Sequence, residues 1–287
     1  MSAPLAVVTV TYSPGGHLNT FLESLASATS RPVTVVLADN GSTDGTPEAA
    51  ESAYGNVALL RTGANIGYGG AANRAVARTD SSVEFVMVVN PDVQFAPGSI
   101  DALLDAAARW PRAGSLGPLI LEPDGSRYPS ARRVPDLMSG SVHALLGSVW
   151  PSNPWTRRYR QDTEEVSERP VGWLSGSCLL LRRAAFDSVN GFDSRYFMYM
   201  EDVDLGDRLG KAGWHNVYVP DATVTHAKGH AAGRHPESML PAHHESAYRF
   251  QADRHPTWWQ APLRWTLRVG LAARSRVVVA AALRRHE

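Results

Sequence analysis

The feature that most constrains the fold of this chain is an apolar run that stops at a proline. Residues 84–89 read EFVMVV, and Asn90, Pro91 and Asp92 follow directly. Nearly unbroken apolar and β-branched character predicts a strand buried on both faces, and proline ends such a strand. Open α/β sheets bind ligands beyond the carboxyl ends of their strands, so Asp92 is predicted to lie at a ligand-binding edge. Taken alone, Asp92 is also compatible with an ordinary turn.

The N-terminal half alternates between strand and helix patterns. Residues 6–11, 33–38 and 57–60 are strand-like runs, and residues 18–25 carry leucine and phenylalanine at helical spacing. Strand, helix, strand from the start of the chain predicts right-handed crossovers and a parallel sheet. We therefore expect an α/β fold with a mostly parallel sheet flanked by helices.

Composition narrows the class of protein. With 44% hydrophobic and 20% charged residues, the 287-residue chain is neither disordered nor collagen-like. Its single cysteine, Cys178, lies in an apolar run, which predicts a buried core residue and excludes a disulfide framework. No signal peptide is recognised at the start, and no window approaches the roughly 18 apolar residues of a membrane span. The cytosol is the expected compartment.

The C-terminal tail differs from the rest of the chain. Residues 249–287 contain eight arginines against two acidic residues, together with Trp258, Trp259 and Trp265. Tryptophan mixed with arginine is typical of membrane interfaces. We expect a main domain over residues 1–235, with a variable functional loop at 132–169, and a basic helical tail over 236–287. The tail is predicted to contact a membrane surface or another subunit of a homo-oligomer.

Acidic residues follow several of the predicted strands or begin helices. With one histidine, they form a set that one edge of a sheet can collect: Asp39, Asp44, Asp92, Glu201, Asp202 and His226. Converging carboxylates repel each other unless a cation or hydrogen-bond donors balance them, so a divalent metal with a nucleotide diphosphate is an economical explanation. Oxygen and nitrogen ligands of this kind suit Mg²⁺ or Mn²⁺. The alternative for each residue separately is a helix cap or a turn.

A glycine-rich stretch suggests a different cofactor. Gly67, Gly69 and Ala72 match the spacing of a dinucleotide-binding fingerprint. That fingerprint normally follows the first strand of its unit, whereas two strands and a polar loop precede this one. A dinucleotide-dependent dehydrogenase is therefore disfavoured.

Taken together, the motifs resemble those of inverting family 2 glycosyltransferases with the GT-A fold. The resemblance covers roughly residues 5–225, and its motifs are residues 9–12 (TVTY), 39–46 (DNGSTDGT), 65–67 (NIG) with Asn73, 90–92 (NPD) and 200–205 (MEDVDL). It implies a Rossmann-like sheet with a C-terminal helical extension. Each motif alone is weak, but the ordered set is specific.

Residues 173–177 (WLSGS) and 196–202 (YFMYMED) resemble more closely the rhamnosyltransferases of actinobacterial cell-wall synthesis. This resemblance implies dTDP-L-rhamnose as the donor and polyprenyl-diphospho-N-acetylglucosamine as the acceptor. It implies a peripheral enzyme on the cytoplasmic face of the membrane, with no nucleic acid partner.

The resemblance also implies roles for matched positions. The nucleotide sugar is expected to contact Thr11, Asp39, Asp44, Asn65, Gly67, Asn73, Asn90 and Asp92. Asp92 and His226 are the expected metal ligands, and Asp202 is the expected catalytic base. The acceptor is expected to contact Trp173, Ser175, Gly176, Glu201 and Asp204. Asn90 departs from the more acidic form of the metal motif, because many family members carry aspartate at this position.

Other functions remain open at this point. One is a family 2 enzyme with another nucleotide sugar or acceptor. The second is a sugar nucleotidyltransferase. Such an enzyme would need a cationic glycine-rich loop after its first strand, and residues 12–17 (YSPGGH) carry no lysine or arginine. A nucleotide-sugar-binding scaffold without catalysis is the third, and the presence of both Asp92 and Asp202 argues against it.

Overall fold

The computed structural model describes residues 5–135, 166–227 and 236–283. Most of the predicted loop at 132–169 therefore lies outside the described residues. The helices are α1 (His17–Ala28), α2 (Thr46–Ala53), α3 (Tyr68–Val76), α4 (Ser99–Arg109), α5 (Arg183–Ser188), α6 (Glu201–Lys211), α7 (Pro236–Arg254) and α8 (Ala261–Leu283), with a 3-10 turn at Trp258–Gln260. The strands are β1 (Leu5–Thr11), β2 (Val33–Asp39), β3 (Val57–Arg61), β4 (Phe85–Val89), β5 (Val93–Phe95), β6 (Ala113–Leu121), β7 (Arg127–Tyr128), β8 (Ala131–Arg132), β9 (Arg169–Val171), β10 (Trp173–Leu174), β11 (Cys178–Arg182) and β12 (His215–His226).

One large mixed sheet organises the molecule. Its main path has the strand order β3-β2-β1-β4-β11-β6-β12-β5, with β7 paired to β6 and β9 to β12. Strands β3, β2, β1 and β4 are parallel to one another, and β12 is parallel to β6. Strand β11 runs antiparallel to both β4 and β6, and β5 antiparallel to β12. The predicted mostly parallel first half is confirmed, and antiparallel strands enter after β4.

The apolar run Phe85–Val89 forms β4, and all five of its residues are buried. Phe85, Met87 and Val89 pack on the side of α1 and α4, whereas Val86 and Val88 pack on the side of α3 and α6. Side chains alternate across a strand, so a strand covered by helices on both sides must be apolar at every position. Each such side chain stabilises the fold by about 1.5–3 kcal/mol.

The strand directions bring the predicted site residues to one edge of the sheet. Strands β1, β2, β4, β6 and β12 share a direction, so Thr11, Asp39, Val89 and His226 lie at their carboxyl ends along this edge. Strand β11 runs the other way and starts there, with Cys178 opposite Val89. Cys178 is buried, as predicted, and burial raises the pKa of its thiol.

The C-terminal helices include α7, which packs against β10, α6 and the segment before α6. Phe250 is buried in a cluster with Trp173, Tyr196 and Val203, and Ser246 Oγ donates a hydrogen bond to the carbonyl oxygen of Met198 at 2.9 Å. The division of the chain at residue 235 remains a prediction, and these contacts join α7 to the elements before it.

The 3-10 turn and α8 expose large apolar side chains. Trp258, Trp259 and Trp265 have 81%, 64% and 68% of their surface exposed. Thr257 and Gln260 cap the turn, and Arg264 donates to the carbonyl oxygens of His255 and Thr257. Among the residues described, no helix has both the length and the apolar character needed to cross a membrane.

Candidate active site

A rigid polar pocket lies at the carboxyl ends of β1 and β2. Thr11 Oγ1 donates to Asp39 Oδ1 at 2.9 Å, and both side chains are buried. Asp39 also accepts hydrogen bonds from the backbone amides of Gly41 at 3.3 Å and Ser42 at 3.1 Å. The orientation of the carboxylate is therefore fixed by a donor from β1 and by donors from the loop after β2. Such a pocket can hydrogen-bond a ribose or a base.

Asp44 joins the loops that follow β1 and β2. The exposed Asp44 carboxylate accepts the Gly15 amide at 2.8 Å and the hydroxyl of Thr46 at 2.9 Å. Burial by itself raises the pKa of Asp44, but the donors of Gly15 and Thr46 lower it more, so the net pKa lies below its usual value. Asp44 thus ties the loop after β2 to the loop after β1.

The glycine-rich loop before α3 approaches the backbone that leads to α6. Gly67 has a φ of 81°, and a Cβ at this position would lie 2.4 Å from the carbonyl oxygen of Phe197. Asn65 Oδ1 accepts the Gly67 amide at 3.1 Å, and Asn40 Nδ2 donates to the Gly67 carbonyl at 3.1 Å. Only glycine allows both this backbone conformation and this contact.

The Asn73 side chain also reaches the segment before α6. Its Oδ1 accepts the Phe192 amide at 2.9 Å, and its Nδ2 donates to the Phe192 carbonyl at 2.7 Å. Asn73 therefore fixes the turn that precedes the acidic helix start. A contact between Asn73 and the nucleotide remains a prediction.

Asp92 and His226 meet although they lie far apart in the sequence. His226 Nε2 is 3.0 Å from Asp92 Oδ1, and Asn90 Nδ2 is 3.4 Å from the same nitrogen. Burial alone raises the pKa of Asp92, but the hydrogen bond and charge of His226 lower it more, so the net pKa lies below its usual value. The backbone amide of Asn90 donates to the Ser177 carbonyl at 2.9 Å, which ties the loop that carries Asn90 and Asp92 to the turn before β11.

The residues around Asp92 partly fit a divalent cation. Asp92 offers carboxylate oxygen and His226 imidazole nitrogen, and His226 Nδ1 is buried without a hydrogen-bond partner. Across residues 5–135, 166–227 and 236–283, no group of three or more histidine, cysteine or acidic residues is arranged to hold a metal. Substrate oxygens and water would have to complete the coordination, which is usual for Mg²⁺ at phosphates.

Asp202 lies at the start of α6 and is held by backbone amides. Its Oδ1 accepts the Val203 amide and its Oδ2 the Gly176 amide, each at 2.8 Å. Burial raises the pKa of Asp202, and these two donors offset only part of that effect, so the net pKa lies above its usual value. A carboxylate that is fixed in place and more basic than usual suits a general base.

The neighbouring acids differ from Asp202 in their partners. Glu201 is buried with Oε2 unpaired, and burial followed by the charge of Asp202 raises the pKa of Glu201 to about 8. Of two adjacent carboxyl groups, the one with amide donors carries the charge, so Glu201 keeps its proton at neutral pH. Asp204 accepts from Arg208 Nε at 2.7 Å, while burial raises its pKa. Their predicted acceptor contacts remain predictions.

Two of the predicted acceptor residues support the turn before β11. Trp173 Nε1 donates to the Arg133 carbonyl at 3.0 Å, and the Arg132 guanidinium lies 5.5 Å from the Trp173 ring centroid. The buried Ser175 donates its amide to the Ser130 carbonyl at 2.8 Å. These contacts place the turn beside Asp202.

Sequence reasoning missed two residues at this site. Tyr68 donates its hydroxyl to the Gly176 carbonyl at 2.7 Å, and Asn40 bonds the Gly67 carbonyl from the loop after β2. An aromatic residue between glycines, at positions 67–70, is an unusual loop residue and was a usable signal for Tyr68. Nothing in the sequence around Asn40 indicates its partner.

Two family models match the chain. Residues 6–189 match the model described as glycosyl transferase family 2, and residues 155–269 match glycosyl transferase family group 2. The first match includes most of the polar residues at the carboxyl edge of the sheet.

Relatives of known function extend the comparison. The chain is 65% identical to the N-acetylglucosaminyl-diphospho-decaprenol L-rhamnosyltransferase of Mycobacterium tuberculosis, over 99% of this chain and 96% of that protein. It is 35% identical to rhamnosyltransferase WbbL of Escherichia coli, over 43% of this chain and 44% of that protein.

Solved structures share the fold at low sequence identity. The structure of GalNAc-T7 with UDP, GalNAc and Mn²⁺ superposes with a TM-score of 0.58 at 14% identity, over 78% of this chain and 43% of that one. TarS residues 1–349 from S. aureus superpose with a TM-score of 0.53 at 19% identity, over 85% of this chain and 64% of that one. These structures confirm the predicted fold class.

Proposed function

This chain belongs to glycosyl transferase family 2, and on that premise we propose that it transfers L-rhamnose from dTDP-L-rhamnose to polyprenyl-diphospho-N-acetylglucosamine with inversion. The observation that carries the proposal is the similarity, along nearly the whole chain, to the mycobacterial L-rhamnosyltransferase. The carboxyl edge of the sheet supports it with a polar pocket for a nucleotide and a fixed, basic carboxylate.

On the acceptor side, Asp202 removes a proton from a hydroxyl of N-acetylglucosamine. The oxygen attacks the anomeric carbon of rhamnose from the face opposite the nucleotide, the bond to dTDP breaks, and the configuration inverts. The amides of Gly176 and Val203 hold the Asp202 carboxylate in place for this step. A base positioned in this way contributes about 10²–10⁴-fold to the rate.

On the donor side, Thr11, Asp39 and Asp44 hold the nucleoside, with the Asn65–Gly67 loop beside it. Asp92 and His226 would hold Mg²⁺ or Mn²⁺. The cation, when bound, stabilises the negative charge of the departing dTDP. Asn90 carries no charge, so it would contribute less to the binding of a cation than an aspartate at this position.

The donor test uses the purified chain with polyprenyl-diphospho-N-acetylglucosamine and each of three sugar nucleotides: dTDP-rhamnose, UDP-glucose and UDP-galactose. We expect a rhamnosylated lipid, identified by mass spectrometry, from dTDP-rhamnose alone. Equal turnover of the UDP-sugars would contradict the choice of donor. A product that carries a nucleotide on the sugar would instead favour a nucleotidyltransferase.

We propose further that the C-terminal helices place the enzyme on the cytoplasmic surface of an anionic membrane. Trp258, Trp259 and Trp265 are exposed, and the sequence of α8, which carries Trp265, also contains arginines, a composition that suits a surface with anionic headgroups and an apolar interior. An acceptor with a polyprenyl chain resides in such a membrane. A subunit interface is the alternative use of this surface.

Vesicle flotation tests the membrane proposal with the full chain. Replacement of Trp258, Trp259 and Trp265 by serine should reduce binding to phosphatidylglycerol vesicles, and Val166→Ser, at a residue exposed elsewhere, should not. Sedimentation of the wild type and of the tryptophan variant would test the alternative, a subunit interface. A wild-type dimer that the tryptophan variant converts to a monomer, without any vesicle binding by the wild type, would assign the surface to another subunit.

A further inference from the structure

The Tyr68 hydroxyl connects the glycine-rich loop to the turn that carries the Gly176 amide. Tyr68 is the first residue of α3, yet its hydroxyl donates to the Gly176 carbonyl at 2.7 Å across the site. The Gly176 amide in turn donates to Asp202 Oδ2 at 2.8 Å. The turn at Gly176 thus accepts a hydrogen bond from Tyr68 and donates one to the Asp202 carboxylate.

The space between Gly176 and Asp202 leaves little freedom. A Cβ on Gly176 would lie 3.1 Å from the Asp202 Cβ and 3.5 Å from its Oδ2. The Gly176 backbone therefore packs directly against the carboxylate that it binds. A shift of this turn by a few tenths of an ångström changes the geometry of the amide donor to Asp202.

Tyr68 is also bound through its backbone to the segment that leads into α6. Its amide donates to the Phe197 carbonyl at 3.1 Å, and its ring packs edge-on against Phe192 at 6.0 Å between centroids. Burial, and then the charges of Glu201 and Asp202, raise the pKa of the Tyr68 hydroxyl. The hydroxyl therefore stays protonated and can only act as the donor to Gly176.

We propose that Tyr68 is a positioning residue for the catalytic base, and that its hydroxyl fixes the Gly176 turn and so the Asp202 carboxylate. Because Tyr68 directly follows the loop predicted to bind the nucleotide, the order of that loop and the position of the base are coupled through one side chain. The inference rests on the proposed function for its kinetic meaning, whereas the hydrogen-bond chain can be tested without any reaction.

The experiment replaces Tyr68 with phenylalanine, which keeps the ring and removes one hydrogen bond. We expect kcat to fall about threefold to tenfold, the range that one net hydrogen bond supports, with the KM for dTDP-rhamnose unchanged within about twofold. Tyr196→Phe is the matched control, because the Tyr196 hydroxyl is buried without a partner. It should leave both constants unchanged.

A second readout does not depend on turnover. Without the Tyr68 hydroxyl, the Gly176 turn shifts and its amide hydrogen bond to the charged form of Asp202 weakens, so the pKa of that carboxyl should rise in Tyr68→Phe. The side-chain ¹³C resonance of labelled aspartate measures it, and the acid limb of kcat should move to higher pH as well. Glu201 and Arg132 also act on Asp202, and neither is changed by the variant.

Each outcome decides the inference. An unchanged kcat and an unchanged Asp202 titration, or a raised donor KM with normal kcat, would overturn it. If Tyr68→Phe does not fold, Tyr68→Leu removes the same hydroxyl, and an unmoved Asp202 titration there would overturn the inference too. A wild-type chain that transfers no rhamnose, but shows the shifted titration in Tyr68→Phe, would contradict the proposed reaction and leave the positioning role supported.

Discussion

His226 Nε2 lies 3.0 Å from Asp92 Oδ1, and this pair joins the end of β12 to the loop after β4. The two residues come together because β5 pairs antiparallel with β12, which places His226 opposite Val93, the residue directly after Asp92. Their contact forms the donor-side half of the proposed site, and Asn90 completes it from the same loop.

Asp92→Asn should weaken the binding of the divalent metal and lower the rate of transfer. After removal of divalent cations by a chelator, wild-type transfer should stop and return with Mg²⁺ or Mn²⁺. In the variant, we expect a rate lower by about 10²-fold at saturation and a higher metal concentration for half-maximal rate, because one charged ligand is lost. Asp105→Asn, an exposed position on α4, is the matched control. A chelator-resistant wild-type rate would contradict the metal proposal.

Asp202→Asn should abolish transfer and leave donor binding nearly intact. The amide keeps the size of the carboxylate but cannot take a proton, so the rate should fall by about 10³-fold or more. Calorimetric titration with dTDP measures the binding, and the lipid product measures the rate. Wild-type transfer in this variant would place the base elsewhere.

Gly67→Ala should destabilise the fold far more than Gly70→Ala. The first Cβ meets the Phe197 carbonyl at 2.4 Å on a backbone with φ of 81°, whereas the second has only ordinary contacts at 3.7 Å or more. We expect a loss of about 2 kcal/mol or more in the free energy of unfolding for Gly67→Ala. Gly70 lies in α3, where alanine is favoured by up to about 1 kcal/mol. Urea unfolding followed by circular dichroism measures both, and equal effects would contradict the close approach.

Glu201→Gln should stabilise the protein at neutral pH. Burial, with the charge of Asp202, raises the pKa of Glu201 from 4.5 to about 8, so the folded protein holds a proton that the unfolded chain releases. This contribution to stability is present in full below pH 4.5 and is lost as the pH rises toward 8. A glutamine carries no such dependence, so the variant should exceed the wild type by at least about 1 kcal/mol at pH 8.

The measurement is the free energy of unfolding by urea at several values of pH between 4.5 and 8. Glu23→Gln, exposed on α1, is the control and should follow the wild type. A Glu201→Gln variant whose stability declines with pH as steeply as the wild type would contradict a buried, protonated Glu201.

The local pattern of the sequence was enough to predict strands β1 to β4 and the fold class. The buried β4, its stop at Pro91 and the alternation of the first strands and helices follow from apolar periodicity and proline chemistry, which are local properties. The ordered motifs were enough to identify the family. The antiparallel entry of β11 was not predictable in the same way, because strand order depends on pairing between distant segments.

The tertiary structure decided which side chains meet. The sequence by itself determined that Asp92 ends a buried strand and that Asp202 begins a helix. The family resemblance placed Asp92 and His226 in one site, and the packed chain shows their direct contact. Only the packed chain shows that Asn73 binds Phe192 and that Tyr68 supports Gly176 beside Asp202. These contacts join positions far apart in sequence, and the physical reason is that a hydrogen bond depends on distances of a few ångströms that no local pattern encodes.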